Sequence, residues 1–180
     1  KKIFQINMKM QSENIPGSFR DPNGHVFKFK GVFYRQVNYK YKENFNHFIS
    51  SGLYNSLVEK KWLVSHEQLE NISGLDVVSN DLFCFLKPLE IPFISYPYEW
   101  SFNQLKDAAL LTLSILKESL EKNMILSDCS AYNIQFYKGK PIFIDTLSFG
   151  TYTEGSPWLG YKQFCQHFLA PLLLMSKYDL

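Results

Sequence analysis

Residues 124–150, MILSDCSAYNIQFYKGKPIFIDTLSFG, constrain this chain more than any other stretch. Two short apolar runs, Ile134 to Phe136 and Pro141 to Ile144, flank Tyr137-Lys138-Gly139-Lys140, a glycine-containing connection that predicts a β-hairpin. A polar loop precedes the first run and an acid follows the second. Asp128 has Asn133 five positions on, and Asn133 has Asp145 twelve positions on. None of the other six aspartates has an asparagine at that distance, so the pairing is not a by-product of composition. A hairpin brings its ends together, so all three side chains are expected at one point.

Two carboxylates and an amide at one point suit a metal–phosphate site. Mg²⁺ is a hard cation that takes oxygen ligands and shares its shell with phosphates. Asn133 and Asp145 are the expected metal ligands, and Asp128 is the expected base for a hydroxyl attacking a phosphoryl group. The same residues also fit a plainer role. Asp128 would then cap a turn, Asn133 would close it and Asp145 would end a strand, since all three are turn formers. The spacing leaves both readings open.

At 180 residues the chain has room for one domain or a small two-lobed unit. With 46% apolar and 17% aromatic residues it can build a core, which excludes a disordered chain. The net charge of +2 comes without a Lys/Arg block, so no nucleic-acid partner is expected. No apolar run approaches the ~20 residues of a membrane helix, so no membrane partner is expected either. Cys84, Cys129 and Cys165 are odd in number and widely spaced, which fits reduced thiols in a cytoplasmic protein. Cys129 sits beside Asp128, and a neighbouring carboxylate raises a thiol pKa. Cys129 therefore reads as a small filler rather than a nucleophile. His25, His47, His66 and His167 make no metal-ligand spacing. The chain starts at Lys1 and stops inside an apolar, helix-like segment, so a fragment of a longer protein is expected.

Taken in order, Lys1 to Ser12 is a lead-in and Ile15 to Ser18 a turn. Asn23-Gly24 between extended runs, with His25 to Lys30 and Val32 to Val37, predicts a small antiparallel sheet of two or three strands. Arg35 is the basic residue on these strands chosen as a phosphate contact. Gly17, Gly24 and Gly31 are too widely spaced to cradle a phosphate. Tyr41 to Lys61 has helical spacing, with Gly52 splitting it into two helices. Asp81 to Pro88 and Ile91 to Tyr98 read as strands. Ser101 with Gln104 forms a capping box that opens a helix running to about Lys122, apolar nearly all round and so expected to be buried. Trp158 to Met175 reads as helix, kinked or restarted at Pro171.

This order, with Asp-x4-Asn, a hairpin and a terminal Asp, resembles the protein-kinase fold. The resemblance implies an α+β, kinase-like architecture: a small antiparallel N-lobe sheet and a truncated, helix-rich C-lobe. Residues 1–97 would form the N-lobe-like part and 98–180 the C-lobe-like part. By the same resemblance Asp128 matches the catalytic-loop acid, Asn133 the metal-binding Asn, and Asp145 the acid of Asp-Phe-Gly. Pro97 to Trp100 falls where adenine binds, with Glu99 and Trp100 as nucleotide contacts. Arg35 stands where a strand lysine is expected. Leu126-Ser127 replace His-Arg before Asp128, Thr146-Leu147 replace Phe-Gly after Asp145, and no glycine-rich loop is recognisable.

YPYEWSFNQLKDAALLTL, LSDCSAYNIQF, PIFIDTLSFG and PWLGYKQFCQHFLAPL are similar to the N-terminal region of bacterial proteins labelled class I S-adenosylmethionine-dependent methyltransferases, some related to nodulation proteins. That similarity implies a downstream methyltransferase domain. No glycine-rich methyl-donor motif occurs here, so S-adenosylmethionine would bind only a domain outside this chain. Two functions follow as expectations. The first is a kinase-like domain binding ATP with Mg²⁺ and transferring a phosphoryl group to an unidentified acceptor. The second is a non-catalytic accessory domain of the methyltransferase.

Overall fold

The computed structural model describes residues 13–14, 21–75 and 81–178. The predicted lead-in and the turn at 15–18 lie outside the described residues. The chain divides into two compact units, one of Lys1–Lys42 with His66–Pro88 and one of Glu43–Ser65 with Leu89–Leu180.

The first unit holds a five-stranded antiparallel sheet, ordered β1-β2-β3-β5-β4. Its strands are β1 (Glu13–Asn14), β2 (Gly24–Phe29), β3 (Val32–Asn38), β4 (His66–Leu69) and β5 (Leu82–Pro88). Lys30 and Gly31 join β2 to β3 with φ of 49° and 80°, a turn whose twist matches that of paired strands. Phe27, Phe29, Phe85 and Ile72 form the core, with Phe27 edge-on to Phe85 at 5.8 Å. The strand β4 was not expected. HEQL has no alternating apolar pattern, and it becomes a strand because it pairs along the edge of β5. Burial there pushes the His66 imidazole down to about 4.

The second unit opens with α1 (Lys42–Ser50) and α2 (Leu53–Glu59), separated at Gly52 with φ 78° as the sequence predicts. The long helix α3 (Phe102–Leu120) starts at the expected capping box: Gln104 N donates to Ser101 Oγ and Ser101 N donates to Gln104 Oε1. It buries Leu105, Ala108, Ile115 and their neighbours but leaves Leu110 55% exposed, so the prediction of burial all round holds for one face only. Ile91 to Tyr98 is not a strand. Pro92 and Pro97 lack the N–H a strand ladder needs, and Phe93 is 74% exposed. The predicted C-terminal helix exists as α4 (Tyr161–Phe164), a π segment (Cys165–Leu169) and α5 (Ala170–Tyr178). Ala170 N bonds Cys165 O, five residues back. This wide turn just ahead of Pro171 relieves the clash its ring would make in a regular helix. Phe48, Leu63, Ile115, Phe143, Phe149 and Phe168 centre the core, with Phe48 stacked on Phe149 at 4.5 Å. Among the described residues no helix is long and apolar enough to cross a membrane.

Candidate functional site

The stretch 124–150 folds as two nested ribbons. The outer one pairs β6 (Met124–Leu126) with β9 (Phe149–Thr151), and the inner one pairs β7 (Ile134–Tyr137) with β8 (Lys140–Phe143). The inner hairpin is the predicted one. The outer ribbon is a structural addition that closes the stretch. Two links join the ribbons, 127–133 outward and 144–148 back. Asp128 and Asn133 sit on the first and Asp145 on the second.

Local hydrogen bonds set the shape of each link. Asp128 Oδ1 accepts from Ser130 N at 3.0 Å, and Asp145 Oδ1 accepts from Leu147 N at 2.9 Å, two Asx-type turns of the same kind. Ser130 Oγ accepts from Tyr132 N at 3.2 Å and caps the short 3₁₀ turn Ala131–Asn133. Ile144 N donates to Asn133 O at 2.8 Å, which continues the inner hairpin one step past Ile134↔Phe143. The turn-forming roles read from sequence are therefore real. They leave oxygen atoms over: among the described residues Asp128 Oδ2 and Asn133 Oδ1 accept no hydrogen bond.

Ser148 fastens the two links. Its carbonyl accepts from Ser127 N at 2.8 Å and from Asp128 N at 3.5 Å, and its own N donates to Asp145 O at 3.4 Å. Its hydroxyl accepts from Asn133 Nδ2 at 3.4 Å. Ser148 is 3% exposed, whereas Asp128, Asn133 and Asp145 are each partly open to solvent. One buried serine thus touches or adjoins every member of the predicted constellation. Sequence reasoning missed it.

A second support comes from the C-terminal helix. His167 Nδ1 accepts from Ala131 N at 3.2 Å and lies 3.3 Å from Ser130 Oγ, so its ring proton belongs on Nε2. Gln163 Oε1 accepts from Cys129 N at 2.6 Å, and Trp158 Nε1 donates to Leu126 O at 2.7 Å. Cys129 is fully buried. Burial first, and then the Asp128 charge, pushes its thiol up to about 12, away from the thiolate form.

The other predicted site residues have contacts of their own. Trp100 is 5% exposed, packs edge-on to Phe136 at 5.2 Å and donates Nε1 to Ser95 Oγ at 2.9 Å. Glu99 is exposed, and its carboxylate accepts from Tyr96 N at 2.7 Å, closing the 3₁₀ turn Pro97–Glu99. Gln135 ties this segment to β7: it accepts from Ser95 N at 2.9 Å and donates to Ser95 O at 3.1 Å. Arg35 belongs to the first unit, where its guanidinium bridges Asp21 at 3.0 Å.

The oxygens of this stretch are hard donors, the type that suits Mg²⁺. Asn133 and Asp145 offer amide and carboxylate oxygens, and among the described residues no group of three His, Cys, Asp or Glu gathers into an all-protein cage. Mg²⁺ is commonly held by one or two protein oxygens and completed by substrate.

No family model matches the sequence. The chain is 39% identical over 173 residues to the nodulation protein NoeA of Rhizobium meliloti (strain 1021), a match covering 92% of this chain and 34% of NoeA. The chain thus spans about a third of the length of that curated relative. The solved structure of vaccinia related kinase 3 matches with a TM-score of 0.50 at 13% identity, covering 79% of this chain and 48% of the kinase. The fold is α+β and protein-kinase-like, and the likeness to NoeA fits a piece of a larger protein.

Proposed function

We propose that this chain is a kinase-like domain that binds ATP with Mg²⁺ and passes a phosphoryl group to an acceptor hydroxyl. The observation that supports it most is the placing of Asp128, Asn133 and Asp145 on two links fastened by Ser148. In this reading Asp128 Oδ2 takes the acceptor's proton as the acceptor oxygen bonds to the terminal phosphorus and the bond from that phosphorus to the departing ADP breaks. Asn133 Oδ1 and the Asp145 carboxylate would hold the cation, whose charge would offset that on the transferring group. The chain's contribution is position and electrostatics rather than a covalent intermediate. Glu99 and Trp100 shape the turn offered to the adenine. Arg35, which is ion-paired with Asp21, is the proposed phosphate contact. The working compartment is the cytoplasm, where the three cysteines stay reduced.

One observation favours a second reading. Asp128 Oδ1 and Asp145 Oδ1 serve local turns and Asn133 Nδ2 fastens one link to the other, as they would in a scaffold that binds no nucleotide. The chain would then be an accessory domain of a longer S-adenosylmethionine-dependent methyltransferase. Thermal melts in millimolar ATP with Mg²⁺ or Mn²⁺ separate the two. Ligand at ~100 times its dissociation constant adds about 2.7 kcal/mol to a folded state that alone binds it. A melt that does not move favours the scaffold.

A further inference from the structure

The turn end of the inner hairpin carries a concavity. A cavity of about 500 Å³ opens there, within the range of small-ligand sites. Its lining is apolar at Val58, Leu63, Leu89 and Ile142 and carries the exposed lysines Lys61, Lys138 and Lys140. No acidic residue lines it, and among the described residues none of the three lysines is held in an ion pair. Neighbouring Lys60 behaves differently, being engaged by Glu118 and lying over the Trp62 ring.

Two of these lysines occupy backbone positions that disfavour them. Lys138 has φ 51° and Gly139 has φ 77°, a two-residue turn whose first position prefers Asn or Gly. Lys61 has φ 59° just past the end of α2, where Trp62 N bonds Leu57 O and Lys61 N bonds Val58 O. That is a helix-ending motif whose left-handed position is usually glycine. A lysine at each place is costly in backbone terms and puts positive charge in the same lining. Lys138 Nζ also lies over the Tyr137 ring at 5.2 Å, which limits its freedom.

We infer that this pocket binds a small amphipathic anion, an apolar ring or chain bearing an oxyanion group, with the lysines on the oxyanion and the apolar lining on the apolar body. The pocket adjoins Tyr137 and Lys140, while Asn133 and Asp145 lie past the other end of the hairpin, about 10 Å away along the strands. The inference is therefore independent of nucleotide binding at Asp128.

The test is a fluorescence titration of the purified protein with anilinonaphthalene sulfonate, an aromatic sulfonate, beside phenylnaphthylamine, its uncharged counterpart. One saturable sulfonate site per chain is expected, weakened by salt and tighter than the neutral probe. Lys138→Glu with Lys140→Glu should weaken it by about tenfold or more, while Lys106→Glu on the exposed face of α3 should change it by less than about twofold. Lys138→Asn separates charge from folding: asparagine suits the turn, so the melting temperature should hold or rise while sulfonate affinity falls. Non-saturating binding, equal affinity for the neutral probe, or affinity untouched by the double substitution would each overturn the inference.

Discussion

Ser127 donates its backbone N–H to the carbonyl of Ser148 at 2.8 Å, one rung beyond the last pair of the β6–β9 ribbon, Leu126↔Phe149. Past that rung the strands part, and the chain from Asp128 to Leu147 leaves as two links and a hairpin. The Ser148 hydroxyl, which accepts from Asn133, is the side-chain half of the same fastening. Ser148→Ala keeps the rung and removes the hydroxyl. We expect a loss of about 1 kcal/mol, the usual net worth of one such bond, read as a lower urea midpoint at unchanged slope. If Asn133 holds the cation, the Mg²⁺-dependent rise in melting temperature with ATP should shrink as well.

Asp145 separates the scaffold role from the metal role. Its Oδ1 accepts from Leu147 N at 2.9 Å, and the amide oxygen of Asp145→Asn can do the same. The asparagine variant should therefore melt within a few degrees of the parent, yet lose most of the stabilisation given by ATP with Mn²⁺. Asp145→Ala loses the turn bond too, and about 1 kcal/mol of stability with it. Equal nucleotide-dependent shifts in parent and Asp145→Asn would remove the metal role.

Much of this arrangement was legible where the signal is local. The inner hairpin shows as two apolar runs about Lys138-Gly139, and the α3 capping box as Ser101 with Gln104 three residues on. The split between α1 and α2 shows as Gly52. What failed depends on contacts distant in sequence. The β6–β9 ribbon joins three-residue strands about two dozen residues apart, and His167 reaches Ala131 across 36 positions. Neither leaves a periodicity to read. β4 was missed because an edge strand takes its conformation from its neighbour. Ile91 to Tyr98 was misread because its aromatic and branched residues mimic a strand that two prolines forbid.

Gly160 bears on the same loop from the C-terminal side. A Cβ there would lie 2.4 Å from Cys129 Sγ and 2.8 Å from Trp158 Nε1, closer than real contacts allow. Gly160→Ala must displace the indole that bonds Leu126 O or the buried Cys129 thiol. We expect a destabilisation of about 1–3 kcal/mol, as for other overpacked cores. Cys129→Ala in the same chain removes one of the two clashes. The double variant should lose less than the sum of the single losses, a coupling measurable by a denaturant double-mutant cycle.

The first unit should carry a pH dependence of its own through His66. Burial holds its folded pKa at about 4, below its ordinary 6.5. Between those values the unfolded chain binds the extra proton and the folded chain does not, so stability rises with pH across the window. The contribution is fully present above pH 6.5 and is lost as pH falls toward 4, and the shift corresponds to about 3 kcal/mol. His66→Gln cannot titrate, so its unfolding free energy should stay flatter than the parent's between pH 6.5 and 4. The two curves should run parallel above pH 7. Parallel curves through the whole range would mean that the folded imidazole takes up its proton as readily as the unfolded one, and that its burial on β4 has no energetic consequence.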